Sequence, residues 1–86
     1  SIYYYLFKEK IMKDLDHISL NPEIMGGKPC IKGTRITVGT IVGLVASGYS
    51  NDKIIKLYPT MKQEDIKQAL SYAAWRSEEI EVILVI

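Results

Sequence analysis

The sequence predicts a mainly α domain: a three-helix helix-turn-helix bundle of homeodomain-like or winged-helix-like type, behind a short N-terminal β-hairpin, with terminal segments extended as β. Three observations predict it. From Thr37 to Arg76 apolar residues recur at helical spacing, broken only at Gly48-Tyr49-Ser50 and at Pro59. Asn21 to Arg35 holds two of the three prolines and three of the six glycines, the composition of a chain reversal. The tail Glu81 to Ile86 ends in an unbroken apolar run, which left free in water is an aggregation-prone edge and so implies pairing.

In the hairpin, Pro22 pushes Asn21 out of the helical region and opens a turn. Gly26-Gly27 permits the positive φ that a reversal needs. The flanking segments, His17 to Leu20 and Pro29 to Ile31, are short and β-compatible. Lys32-Gly33-Thr34-Arg35 is a polar turn feeding the first helix.

Thr37 is placed to cap a helix from Val38 to about Ser47, with Gly48 as its stop and Ile41, Leu44 and Val45 as its buried stripe. Ser50 caps a second helix, Asn51 to Tyr58, with Ile54, Ile55 and Tyr58 or Leu57 inward, and Pro59 ends it. Thr60-Met61-Lys62-Gln63 has the T-x-x-Q form of a capping box. It opens a third helix to about Arg76, whose expected inward stripe is Ile66, Ala69, Leu70 and Ala73. The chain thus divides into an N-terminal arm (1–16), the hairpin and trihelical domain (17–76), and an acidic-apolar tail (77–86) acting as a pairing strand. The arm is either an addition upstream of a start at Met12 or a second pairing strand.

Eighty-six residues form one small domain, for which oligomerisation or a partner is a natural supplement. Apolar content of 48% against 24% charged residues is that of a globular chain, so disorder is excluded. A net charge of +1 gives no general attraction to nucleic acid, although Lys28 to Arg35 is basic and Glu78, Glu79 and Glu81 are acidic. With one cysteine and one histidine, neither an internal disulfide nor a four-ligand zinc site can form. No metal, cofactor, membrane span or signal peptide is expected, and the chain reads as cytoplasmic.

The string from Ile18 to Ala74 resembles a small prokaryotic family, domain of unknown function 433, described as VapB-type antitoxin-like. The resemblance rests on Ile18, Pro22, Gly26, Gly27, Pro29, Ile31, Gly33 to Ile36, Val38, Gly48, Ser50, Tyr58-Pro59 and Ala69 to Ala74. It implies a helix-turn-helix-like fold behind a hairpin. It also implies the antitoxin of a toxin–antitoxin pair whose toxin resembles a PIN-type ribonuclease. It supplies no catalytic residues.

Candidate DNA contacts are Lys28, Lys32 and Arg35 on the hairpin, and Gln63, Lys67, Gln68 and Ser71 on the third helix. The hairpin cations either grip phosphate or form a solvated basic turn. Gln is a competent adenine reader and Lys reaches guanine or phosphate. Glu64 and Asp65 oppose this by repelling phosphate, but they also suit the helix dipole. Candidate partner or dimer contacts are Tyr3, Tyr5, Trp75, Val82, Ile83, Leu84, Val85 and Ile86, with Trp75 either in the core or at an interface. Cys30 reads as a small buried hydrophobe, and His17 has no partner evident beyond Asp16, so no enzyme is expected. The function expected is an antitoxin-like regulator that binds double-stranded DNA as a homodimer and masks a PIN-like toxin. The alternative is an interaction module without DNA binding that pairs its apolar tail as a strand.

Overall fold

The computed structural model describes residues 15–85, with side-chain surroundings for residues 15–77. Two short antiparallel strands, β1 (Ile18–Ser19) and β2 (Cys30–Ile31), precede three helices, α1 (Val38–Ala46), α2 (Asn51–Leu57) and α3 (Gln63–Val85). The hairpin register pairs Ile18 with Ile31 and Ser19 with Cys30. Between the strands lies a single 3-10 turn at Met25–Gly27, where Met25, Gly26 and Gly27 all have positive φ. The fold is therefore the mainly α, three-helix arrangement behind a hairpin that the sequence predicts.

The chain is stitched from β2 into α1 by local bonds. Thr34 Oγ1 donates to the Ile31 carbonyl at 2.8 Å and accepts from the Ile36 N–H at 3.0 Å. Beyond this turn the Ile31 N–H reaches the Ile36 carbonyl at 2.9 Å, and the Val38 N–H reaches the Pro29 carbonyl at 2.9 Å. Thr37 Oγ1 accepts from the Thr40 N–H at 3.1 Å, satisfying one of the orphan donors at the start of α1. At its other end Tyr49 N–H bonds to the Leu44 carbonyl and Gly48 N–H to the Val45 carbonyl, both at 3.0 Å. That is the Schellman pattern, and it requires the φ of +91° that Gly48 adopts. Ser50 Oγ then caps α2 through the Lys53 N–H at 3.2 Å.

The third helix departs from expectation at both ends. It starts at Gln63, and Thr60 does not cap it. Residues 58–62 instead turn so that Met61 enters the core at 3% exposure. The cap is formed from inside the helix: Asp65 Oδ2 accepts from the Lys62 N–H at 2.8 Å, the reach-back half of a capping box. At the other end the helix continues to Val85, which corrects the expectation of an extended tail. No glycine or proline interrupts residues 63–85. Each residue added to a formed helix gains a backbone hydrogen bond without a new nucleation cost, and this outweighs the few tenths of a kcal/mol by which Val and Ile disfavour helix. Residues 1–14 of the expected N-terminal arm and the end residue Ile86 lie outside the described residues, whereas Leu15 and Asp16, assigned to that arm, belong to the folded domain, Leu15 in its core and Asp16 hydrogen-bonded to Gln68.

One apolar cluster joins all the elements: Leu15, Ile18, Ile31, Val38, Ile41, Ile54, Met61, Ile66, Ala69, Tyr72 and Trp75. Ile41, Ile54 and Ile66 are wholly buried, one from each helix. The buried face of α3 is rotated relative to the expected stripe. Leu70, expected inward, is 37% exposed, whereas Tyr72, which is not part of that stripe, is 7% exposed. Tyr72 and Trp75 meet edge to face, with ring centroids 5.5 Å apart, a favoured aromatic geometry. Among the described residues, Trp75 Nε1 is buried without a hydrogen-bond partner.

Candidate nucleic-acid interface

The first three turns of α3 carry two different surfaces. One is a polar dock for the hairpin, and sequence reasoning missed it. His17 Nδ1 lies 2.7 Å from Asp65 Oδ1. The same carboxyl takes the Lys62 N–H on its other oxygen. A carboxylate only accepts, so the His17 ring donates through Nδ1. The backbone N–H of His17 donates to Gln68 Oε1 at 2.7 Å. Gln68 Nε2 in turn donates to Asp16 Oδ1 at 2.9 Å and to Glu64 Oε1 at 3.3 Å. Asp65 and Gln68 are buried, at 8% and 5% exposure, and their polar atoms are engaged as buried polar groups must be.

Gln68 therefore leaves the set of candidate DNA contacts. Its amide is engaged by Asp16, His17 and Glu64, and the side chain is buried. Trp75, at 5% exposure, is likewise a core residue and not an interface anchor. A signal for this face was present. Asp65, Gln68, Tyr72 and Trp75 follow i, i+3, i+7, i+10 spacing, a second helical stripe beside the apolar one. Its polar first half disguised it.

The Asp16 carboxyl is held below its ordinary value of 3.8, chiefly by the Gln68 amide, with smaller attraction from His17 and Lys32. A folded value lowered in this way contributes stability that is present above the unfolded value and lost as pH falls through the folded one. Followed by NMR, this carboxyl is expected to titrate below 3.8. Gln68→Leu should move it back up, and an unmoved titration would remove Gln68 as the cause.

The second surface is the exposed face of α3. Gln63, Lys67 and Ser71 stand at i, i+4 and i+8, all exposed, flanked by the exposed Leu70 and Ala74. Of the two first-turn acids that would oppose phosphate here, Asp65 is withdrawn from the surface and Glu64 is exposed. Asp65 is buried against His17, and the carboxylate of Glu64 reaches Gln68. Gln63 is also held in place, since Asn51 Nδ2 donates to its Oε1 at 2.9 Å across the corner between α2 and α3. Lys53, Lys56 and Lys62 are exposed on the same two helices and the turn between them.

The hairpin cations Lys28, Lys32 and Arg35 are all exposed. Lys28 lines a shallow cavity with Pro29, Thr37, Gly39 and Thr40 at the start of α1. Lys32 lies near Asp16, so part of its field falls on the dock. Cys30 is buried at 1% exposure, with its thiol toward the Lys28 carbonyl at 3.4 Å. Of the tail candidates, Val82, Ile83, Leu84 and Val85 belong to the helical backbone of α3, and Tyr3, Tyr5 and Ile86 lie outside the described residues. Among the described residues, no group of His, Cys, Asp and Glu could hold a metal ion, and no helix is long and apolar enough to cross a membrane.

Comparison with known proteins gives a family but no activity. A family model described as "Protein of unknown function (DUF433)" matches residues 18–73. An uncharacterized protein of Sinorhizobium fredii, y4eO, is 34% identical over 56 residues, covering 65% of this chain and 25% of that protein. The matched part thus spans about a quarter of that relative. The crystal structure of a DUF433 member protein from Anabaena variabilis matches with a TM-score of 0.69 and 25% identity, over 98% of this chain and 84% of that one.

Proposed function

The chain belongs to the DUF433 family, proteins of unknown function, and from that premise we propose an antitoxin-like regulator that binds double-stranded DNA as a dimer and neutralises a PIN-like ribonuclease toxin. The observation that carries the DNA part is the division of labour on α3. Of its two first-turn acids, Asp65 is buried against His17 and Glu64 accepts from Gln68, leaving Gln63, Lys67 and Ser71 as an exposed polar row. A row of that kind on the third helix suits major-groove entry, with the surrounding lysines on phosphate. The net charge of +1 means that affinity would come from this local arrangement and not from the overall field.

The test is binding of the full chain to the DNA upstream of its own gene, followed by fluorescence anisotropy across a salt series. The logarithm of the binding constant should fall linearly with that of salt, and Lys67→Ala should reduce the slope by about 1 if Lys67 neutralises one phosphate. Salt-independent affinity would sink the DNA reading. Loss of ribonuclease activity on adding the chain to its genomic-neighbour nuclease would support the antitoxin part.

A second reading, an interaction module without DNA binding, is favoured by the continuation of α3 beyond Trp75 to Val85. It would then engage a partner as a helix, not by strand pairing.

A further inference from the structure

The Asn51–Gln63 contact has a consequence for which base the exposed face of α3 would read, and this rests on the DNA reading above. Asn51 is the first residue of α2 and Gln63 the first of α3, and both are exposed. A free surface glutamine samples many rotamers, so a base contact from it must first order three torsions. The bond from Asn51 Nδ2 to Gln63 Oε1, 2.9 Å long, orders them in advance. It also fixes what remains to be offered. Gln63 keeps two N–H donors on Nε2 and one lone pair on Oε1, so donor and acceptor lie side by side. Were the two amides turned over together, the pair would still present an NH₂ and a carbonyl lone pair.

Adenine shows that pattern in complement on its major-groove edge, with N7 accepting and the N6 amino group donating. Guanine shows two acceptors, N7 and O6, and its O6 would face the Gln63 carbonyl.

We propose that Gln63 is an adenine-reading residue for the major groove and that Asn51 is the positioning residue that sets its amide. The experiment is selection of bound duplexes from a randomised DNA pool by the full chain, by Gln63→Ala and by Asn51→Ala. Folding of each variant is checked by circular dichroism, and total affinity by salt-dependent anisotropy.

The wild-type chain should enrich adenine at one fixed position. Gln63→Ala should lower that preference by about 10-fold while leaving salt-dependent, sequence-independent binding in place. Asn51→Ala should lower the same preference at the same position by a smaller factor. A tie that only braces two helices would change melting temperature and leave base preference alone. Salt-sensitive binding whose base preference is untouched by Gln63→Ala overturns the inference and leaves the DNA reading standing. Preference lost in Gln63→Ala but intact in Asn51→Ala overturns the positioning role. No binding by the wild-type chain overturns the inference and the DNA reading together.

Discussion

Asp65→Ala is expected to lower the unfolding free energy by about 3 kcal/mol, because it removes two charge-assisted acceptors at once. One serves the His17 ring at 2.7 Å and the other the Lys62 N–H at 2.8 Å. The second loss strikes the start of α3, where the Lys62 N–H would be left without its partner. In a domain of this size the change corresponds to a fall in Tm of roughly 12–24 °C. His17→Ala should cost less, since it spares the helix start. A double-mutant cycle between the two should return a coupling of about 1–2 kcal/mol. Denaturant unfolding checks all three variants. A loss under about 1 kcal/mol for Asp65→Ala would mean that the dock is surface decoration and not a structural joint.

Ile66→Ala is expected to destabilise the fold by about 2–5 kcal/mol, through lost apolar burial and the cavity left behind. Ile66 is fully buried and belongs to the one cluster that joins the hairpin to all three helices. Leu70→Ala on the same helix is the control. Leu70 is 37% exposed, and its truncation should cost less than about 1 kcal/mol. The pair measures the rotational setting of α3. Equal losses at the two positions would place Leu70 inward and contradict the packing described above.

Most of the fold was legible because it is written in local chemistry. Thr37, Gly48, Ser50 and Pro59 mark helix ends by mechanisms that depend on one residue and its immediate neighbours. The hairpin was legible for the same reason, through Pro22, Gly26 and Gly27. The rotation of α3 was not, because it depends on what covers each side of the helix. Ile66, Ala69 and Ala73 alone suggest a narrow apolar stripe. Tyr72 and Trp75 become buried because the same body also covers the adjoining side, where Asp65 and Gln68 receive the hairpin. Polar residues at those positions look solvated until their distant partners are known. Thr60 misled for a related reason: a good cap was available, but seating Met61 in the core moved the helix start to Gln63. Of the candidate site, Gln63, Lys67 and Ser71 remain exposed as expected, and Gln68 does not. The Asn51–Gln63 tie joins residues on separate helices, which no local pattern announces.

The hairpin dock also bears on the order in which the molecule assembles. Its bonds join residues 48 to 52 positions apart in the chain, whereas the caps and the turn between α1 and α2 close over a few residues. Loop closure must be met before such distant contacts reward it, so the helices are expected to form first and the hairpin to seat last. The same order runs backwards on unfolding. With Asp16 and part of the His17 ring open to water, the hairpin side is the part that detaches first, while Ile41, Ile54 and Ile66 still hold the helices together. Amide exchange should therefore be faster at Lys32, whose N–H bonds to the His17 carbonyl, than in the middle of α3. Mutations in the dock should speed unfolding far more than they slow folding.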